Sequence, residues 1–356
     1  MKKLSILISF TILCGILSQS CTQKNSSPNS FGQIAKRAID SVPSLGSLLI
    51  WKNNELVYEE YFNGANRNTD FDVKSVTKSV TSAIIGIIYD KGWLPDVNTP
   101  VLTIFPEFSG SPSEKKNIWY SSTLKTNDSL RKLLTFKHLL TMQAGFLWDD
   151  NNPIIHRPFQ SSSDPVRFML ELPFESPPGT EFKYCTGACQ VVMAILEKSS
   201  KIEIRKLADS LLFDPLGIKI KKWTVDEVGR LSAGSSLMMK PMDMIHFGQL
   251  YLNEGEVNNK RILSKKWIDE STSEKVVLNE WDVLPEANGY GYYWWRRKTR
   301  GHQCFVASGY GGQLICVIPD LKTIVVTTCF VNEKNRGRAE IKRLHSVIDQ
   351  IVDASI

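Results

Sequence analysis

Ser75-Val76-Thr77-Lys78 places an alcohol three residues ahead of an amine. On a helix, positions i and i+3 share a face, so the Lys78 amine can reach the Ser75 oxygen. A serine hydroxyl is a weak nucleophile until a neighbouring group takes its proton. A buried lysine among polar groups can have its pKa lowered enough to be that group. A serine at a helix N-terminus also meets the positive end of the helix dipole, which favours developing negative charge. The bare pattern is weak, because Ser113, Ser122 and Ser129 also have a lysine three residues on. Those three lie in a polar, loop-like stretch, whereas Ser75 opens a long apolar helix. The same residues fit a helix N-cap followed by a surface lysine.

Two other stretches carry chemistry. Tyr184-Cys185-Thr186 follows Pro178-Gly179-Thr180 and precedes a helix. A phenol and a hydroxyl so spaced can project into a cleft, where Tyr184 could relay a proton to a leaving group. A capped helix start with a packed tyrosine is the alternative. In Ala307-Ser308-Gly309-Tyr310-Gly311-Gly312-Gln313 the glycines allow close backbone approach or a sharp turn. A strand edge there could offer a backbone N–H to an oxyanion, or be a plain glycine-rich hairpin. Trp148 and Asp149 follow Gly145 on a loop that either borders a substrate or lies on the surface. The histidines, His138, His156, His246, His302 and His345, form no H-E-x-x-H and no close pair. No metal site and no cofactor are expected. No G-x-S-x-G elbow, P-loop or dinucleotide-binding G-x-G-x-x-G occurs.

These residues need elements to hold them. Residues 48–51 and 56–58, split by a polar turn, read as a β-hairpin. Val80, Ala83, Ile84, Ile87 and Ile88 recur at helical spacing, predicting a helix over 76–89 that stops at Gly92. From about 96 to about 226, proline-rich loops alternate with helical stretches at 136–143, 164–172 and 186–198. Helices follow at 241–252 and 265–273. Strands return at 290–296, 304–307, 313–318 and 323–330, before a closing helix at 341–352. A lone hairpin is rarely stable, so strands from both ends must share a sheet. The fold class is α+β: an antiparallel sheet flanked by helices, with an inserted mainly helical lobe.

The chain has 356 residues, 42% apolar and 22% charged, which suits one large domain or a domain with an inserted lobe. The formal charge of +6 is mild. Its densest basic cluster, Arg296-Arg297-Lys298 with Arg300, reads as a solvated turn, and no nucleic-acid partner is expected. Lys2-Lys3 followed by apolar residues 4–17 reads as an export signal, too short to span a bilayer comfortably. The sequence is accordingly divided into a lipoprotein signal at 1–20, a flexible tether at 21–34 and a main folded domain at 35–356. Cys21 would carry lipid and be the sole membrane attachment of a periplasmic or cell-surface protein. Cys185, Cys189, Cys304, Cys316 and Cys329 remain, and a bridge between Cys304 and Cys329 is one option.

Taken together, the motifs reach a family. They are Phe62-Asn63-Gly64, Ser75-Val76-Thr77-Lys78-Ser79, Leu139 to Gly145, Pro178-Gly179-Thr180 through Tyr184, Gly289 to Trp295, and Ser308 to Gln313. Over roughly 40–350 the chain resembles the serine β-lactamase and penicillin-binding protein superfamily, closest to its esterase and 6-aminohexanoate-oligomer hydrolase branch. The resemblance implies a β-lactamase/transpeptidase-like fold. It implies Ser75 as nucleophile, Lys78 as base and Tyr184 as acid/base partner, with an oxyanion hole formed by the N–H groups of Ser75 and Tyr310. Thr186, Ser308, Gly309 and Trp148 would border a small ester, amide or peptide-like substrate. Thr186 replaces the usual Asn or Ser. Ala307 stands where β-lactamases carry the Lys of K-T-G and many esterases a His. Losing that cation removes a charge-assisted hydrogen bond worth roughly 1.5–3 kcal/mol. The expected activity is therefore ester or amide hydrolysis. A true β-lactamase or D,D-peptidase, and an inactive binding protein of the same fold, are the alternatives.

Overall fold

The computed structural model describes residues 28–109, 128–279, 284, 287–331 and 338–356. The expected signal, Cys21, Ser113 and Ser122 lie outside the described residues. An eight-stranded antiparallel sheet organises the rest. Its hairpin, β1 (Leu45–Lys52) and β2 (Glu55–Tyr61), turns at Asn53 and Asn54, whose φ of 50° and 67° are the left-handed values a tight turn needs. The other strands are β3 (Val276–Val277), β4 (Ala287–Tyr290), β5 (Trp295–Thr299), β6 (His302–Gly309), β7 (Gln313–Ile318) and β8 (Thr323–Cys329). They lie in the order β2-β1-β8-β7-β6-β5-β4-β3. The first strand therefore pairs with the last, from Leu45 opposite Cys329 to Lys52 opposite Thr323.

Five longer helices matter for the site: α1 (Pro28–Ser41), α2 (Val76–Asp90), α3 (Ala188–Ser200), α4 (Pro241–Leu252) and α5 (Arg338–Ser355). α2 is buried without interruption from Val76 to Ile88, the signature of a central helix. Two of its buried hydroxyls find distant carbonyls: Ser79 Oγ donates to Tyr293 O at 2.7 Å and Thr81 Oγ1 to Ala233 O at 2.9 Å. Between α2 and α4 lies the helical lobe, which includes α3 and the short helices Phe136–Leu140, Pro153–Gln160 and Pro165–Leu170.

Four expectations about the fold are corrected. Residues 28–34, assigned to the tether, begin α1; Phe31, Ile34, Ala35 and Ala38 recur at helical spacing, are all buried, and α1 packs on α5. The strand expected over 290–296 is two strands, β4 and β5. Gly291 N donates to Trp294 O at 2.8 Å across a turn in which Tyr293 has φ 66°. Arg297 is fully buried rather than part of a solvated turn, because β5 alternates and points it at Asp349 of α5. Cys304 and Cys329 are not bridged: every described cysteine is free, and β7 separates their strands.

Candidate active site

The chain turns sharply before α2. Lys74 takes φ 51°, an uncommon conformation for a residue with a side chain. Asp72 holds it there, accepting from the Lys74 backbone N–H at 2.9 Å and from its ammonium at 2.8 Å. Ser75 then occupies the N-cap position of α2, half-buried, but its side chain caps no helix amide. Its oxygen instead accepts from Lys78 Nζ at 3.1 Å. Lys78 is 1% exposed. These two facts exclude the capping-serine and surface-lysine alternative.

Lys78 Nζ has two other acceptors, Thr186 Oγ1 at 3.0 Å and Gly234 O at 2.8 Å. Only glycine fits at 234, since a Cβ would sit 2.8 Å from Thr186 Cγ2. Tyr184 closes the group. The Lys78 ammonium lies 4.7 Å from its ring centroid, and the ring stacks on Trp295 at 5.7 Å and 17°. The Tyr184 loop is pinned to the Leu139–Gly145 motif: Lys183 N donates to Met142 O at 2.8 Å and Cys185 N to Met142 Sδ at 3.4 Å.

β6 supplies the opposite wall. A Cβ on Gly309 would lie 2.2 Å from Val73 O, so glycine lets the strand end rest directly against the turn that leads to Ser75. Ser308 is half-buried, and Tyr310 is 40% exposed. Among the described residues, neither the Ser75 nor the Tyr310 backbone N–H donates to a backbone carbonyl. Ala307 is fully buried and places no cation there. His302 is at the far end of β6, with Nδ1 2.6 Å from Asp320 Oδ2.

Trp148 does not border the cleft. It is 1% exposed, packed edge-on to Phe159, and its Nε1 donates to Asp150 Oδ1 at 3.0 Å. Asp149 is exposed and caps a loop turn through Asn151 N. The residue that enters the site is its neighbour Asp150. Its Oδ2 accepts from Thr186 Oγ1 at 3.1 Å and Thr186 N at 3.3 Å. Sequence reasoning missed both Asp150 and Gly234. The Trp148-Asp149-Asp150 run was the signal for the first, read one residue short; nothing in the sequence marked the second.

Burial disfavours the Lys78 ammonium, but Tyr184, Cys189 and Asp150 favour it, and its pKa is raised. The sequence expectation was a lowered one. Burial raises the Tyr184 phenol, with Lys78 and Ser75 pulling it back, and burial also raises the Cys189 thiol.

A central helix headed by a serine–lysine pair, between an antiparallel sheet and a helical lobe that contributes a tyrosine, defines the class of β-lactamase-like hydrolases. A family model described as Beta-lactamase matches residues 37–349, and the chain belongs to that family. It is 22% identical over 293 residues to the 6-aminohexanoate-dimer hydrolase of Paenarthrobacter ureafaciens, covering 79% of this chain and 71% of that protein. EstCE1, a hydrolase with promiscuous acyltransferase activity, superimposes with a TM-score of 0.71 at 16% identity, covering 91% of this chain and 98% of that one. The octameric penicillin-binding protein homologue from Pyrococcus abyssi gives 0.65 at 18%, over 90% and 77%. At such identities the two structures show the fold alone.

Proposed function

We propose that this protein hydrolyses an ester or amide bond of a small molecule through an acyl-enzyme on Ser75. One observation carries the reading: a half-buried serine oxygen lies 3.1 Å from a buried lysine amine whose other two partners are fixed acceptors. Ser75 Oγ attacks the substrate carbonyl carbon as Lys78, in its neutral form, takes the serine proton. The resulting oxyanion is received by the N–H groups of Ser75 and Tyr310. Tyr184 donates its phenol proton to the leaving alcohol or amine, and the acyl group stays on Ser75. Water then attacks the acyl carbon, giving its proton to the Tyr184 phenolate, and Lys78 returns its proton to Ser75 Oγ as the acid leaves. Ser308 and Gly309 line the wall opposite Lys78 and border the bound substrate.

Hydrolysis of β-lactams or D,D-peptides is the weaker reading, since the buried Ala307 leaves β6 without the cation that would hold a substrate carboxylate. Export and lipid attachment at Cys21 are also proposed, on the basic and apolar pattern of residues 2–21.

The test is labelling by a fluorophosphonate probe, with turnover of p-nitrophenyl esters, short amides and nitrocefin. Labelling and ester or amide turnover that vanish in Ser75→Ala are expected. An unlabelled wild type would leave a binding protein of the same fold. Nitrocefin turnover matching that of the esters would favour the β-lactamase reading.

A further inference from the structure

An ammonium carries three N–H bonds, and Lys78 directs them at Ser75 Oγ, Thr186 Oγ1 and Gly234 O. A neutral amine keeps two N–H bonds and one lone pair. To accept the serine proton, Lys78 must aim the lone pair at Ser75 and both remaining N–H bonds at the other two partners. Gly234 O can only accept. Thr186 is different, because a hydroxyl is both donor and acceptor. Left to itself, it could turn its O–H towards the Lys78 lone pair and draw that lone pair away from Ser75.

We propose that Asp150 is the positioning residue that prevents this: its carboxylate takes the Thr186 O–H, makes Thr186 an acceptor towards Lys78, and so leaves the lysine lone pair on Ser75. Asp150 Oδ2 lies 3.1 Å from Thr186 Oγ1 and 3.3 Å from its N–H. Asp150 is itself held, since Trp148 Nε1 donates to Oδ1 at 3.0 Å and the Trp148 ring is packed beneath Gly187. An asparagine at 186 would present a carbonyl to the lysine and need no such partner. Threonine at this position therefore brings a requirement for an acceptor behind it, and Asp150 meets it.

The same carboxylate acts on charge. The titratable groups facing Lys78 are Tyr184 from the preceding loop, Cys189 from α3 and Asp150; Cys185 adjoins them, and Tyr290 and Tyr293 face Tyr184 and Cys189. Burial raises the tyrosines and thiols of this group, and Asp150 is the carboxylate among the groups that favour the Lys78 ammonium.

The inference rests on the Ser75–Lys78 reading above, and the experiment separates the two. Fluorophosphonate labelling rates of the whole protein are measured against pH for wild type, Asp150→Asn, Thr186→Val and the double variant. If wild type is not labelled, the functional reading fails. If it is, Asp150→Asn is expected to lower the high-pH plateau roughly ten- to a hundredfold and to move the acid limb to lower pH, as Lys78 loses its anion. In the Thr186→Val background the same change is expected to alter the plateau by less than about threefold. An unmoved acid limb, or plateau losses that multiply in the double variant, would overturn the proposal. A merely structural role for Asp150 lowers rates without shifting the limb.

Discussion

At the scale of single residues, the site is a matter of which atoms can only accept. Gly234 presents a carbonyl to Lys78 because it has no Cβ to strike Thr186. Gly234→Ala forces a carbon to 2.8 Å from Thr186 Cγ2 and 3.2 Å from Thr186 O, and pushes the two acceptors apart. Labelling of Ser75 is expected to slow about ten- to a hundredfold, as displacements near 1 Å do, with the melting temperature little changed. An unchanged rate would show that the carbonyl does not position the amine. Ser75 and Lys78 were legible in the sequence because helical geometry alone brings i and i+3 together. Tyr184 was legible as one member of an ordered set of motifs. Asp150 was not: which of two adjacent aspartates points inward depends on how its loop packs around Trp148, and local spacing does not encode that. The direction of the Lys78 shift was misread because Tyr184, Cys189 and Asp150, brought beside it from distant parts of the chain, outweigh burial.

At the scale of elements, regular patterns transferred well and interruptions did not. The helix at 241–252 and the strand at 313–318 fall where their periodicity puts them. The run of aromatic residues after Gly289 hid the turn between β4 and β5, since every residue there is apolar whether or not the chain bends. Arg297 was misplaced because composition treats three consecutive cations alike, while a strand sends alternate ones to opposite faces. That buried arginine seals β5 to α5: its Nη2 donates to Asp349 Oδ1 at 2.8 Å and its Nη1 lies 2.5 Å from His345 Nδ1. Burial, reinforced by the Arg297 charge, holds His345 well below its usual 6.5. The sign follows from linkage. Below 6.5 the unfolded chain binds a proton that the native imidazole refuses, so this stabilisation is present above 6.5 and is lost as pH falls. Wild type is expected to lose melting temperature between about pH 7.5 and about pH 5, and His345→Gln to lose less over the same interval. Equal losses would remove His345 from the acid response.

For the molecule as a whole, α1 belongs to the folded body even though its sequence begins like a tether. Phe31 and Ile34 are 2% and 3% exposed, and burying such side chains contributes about 1.5–3 kcal/mol each. A chain starting at Pro28 is expected to melt with the full-length protein, and one starting at Pro43 well below it. Equal melting of the two would show α1 to be dispensable. The sheet order has a consequence for biosynthesis. β1 leaves one edge bare until β8 is made near the end of the chain, and the wall of the cleft on β6 arrives only shortly before. During synthesis the polypeptide therefore cannot complete the surroundings of Ser75 until the last strand has emerged.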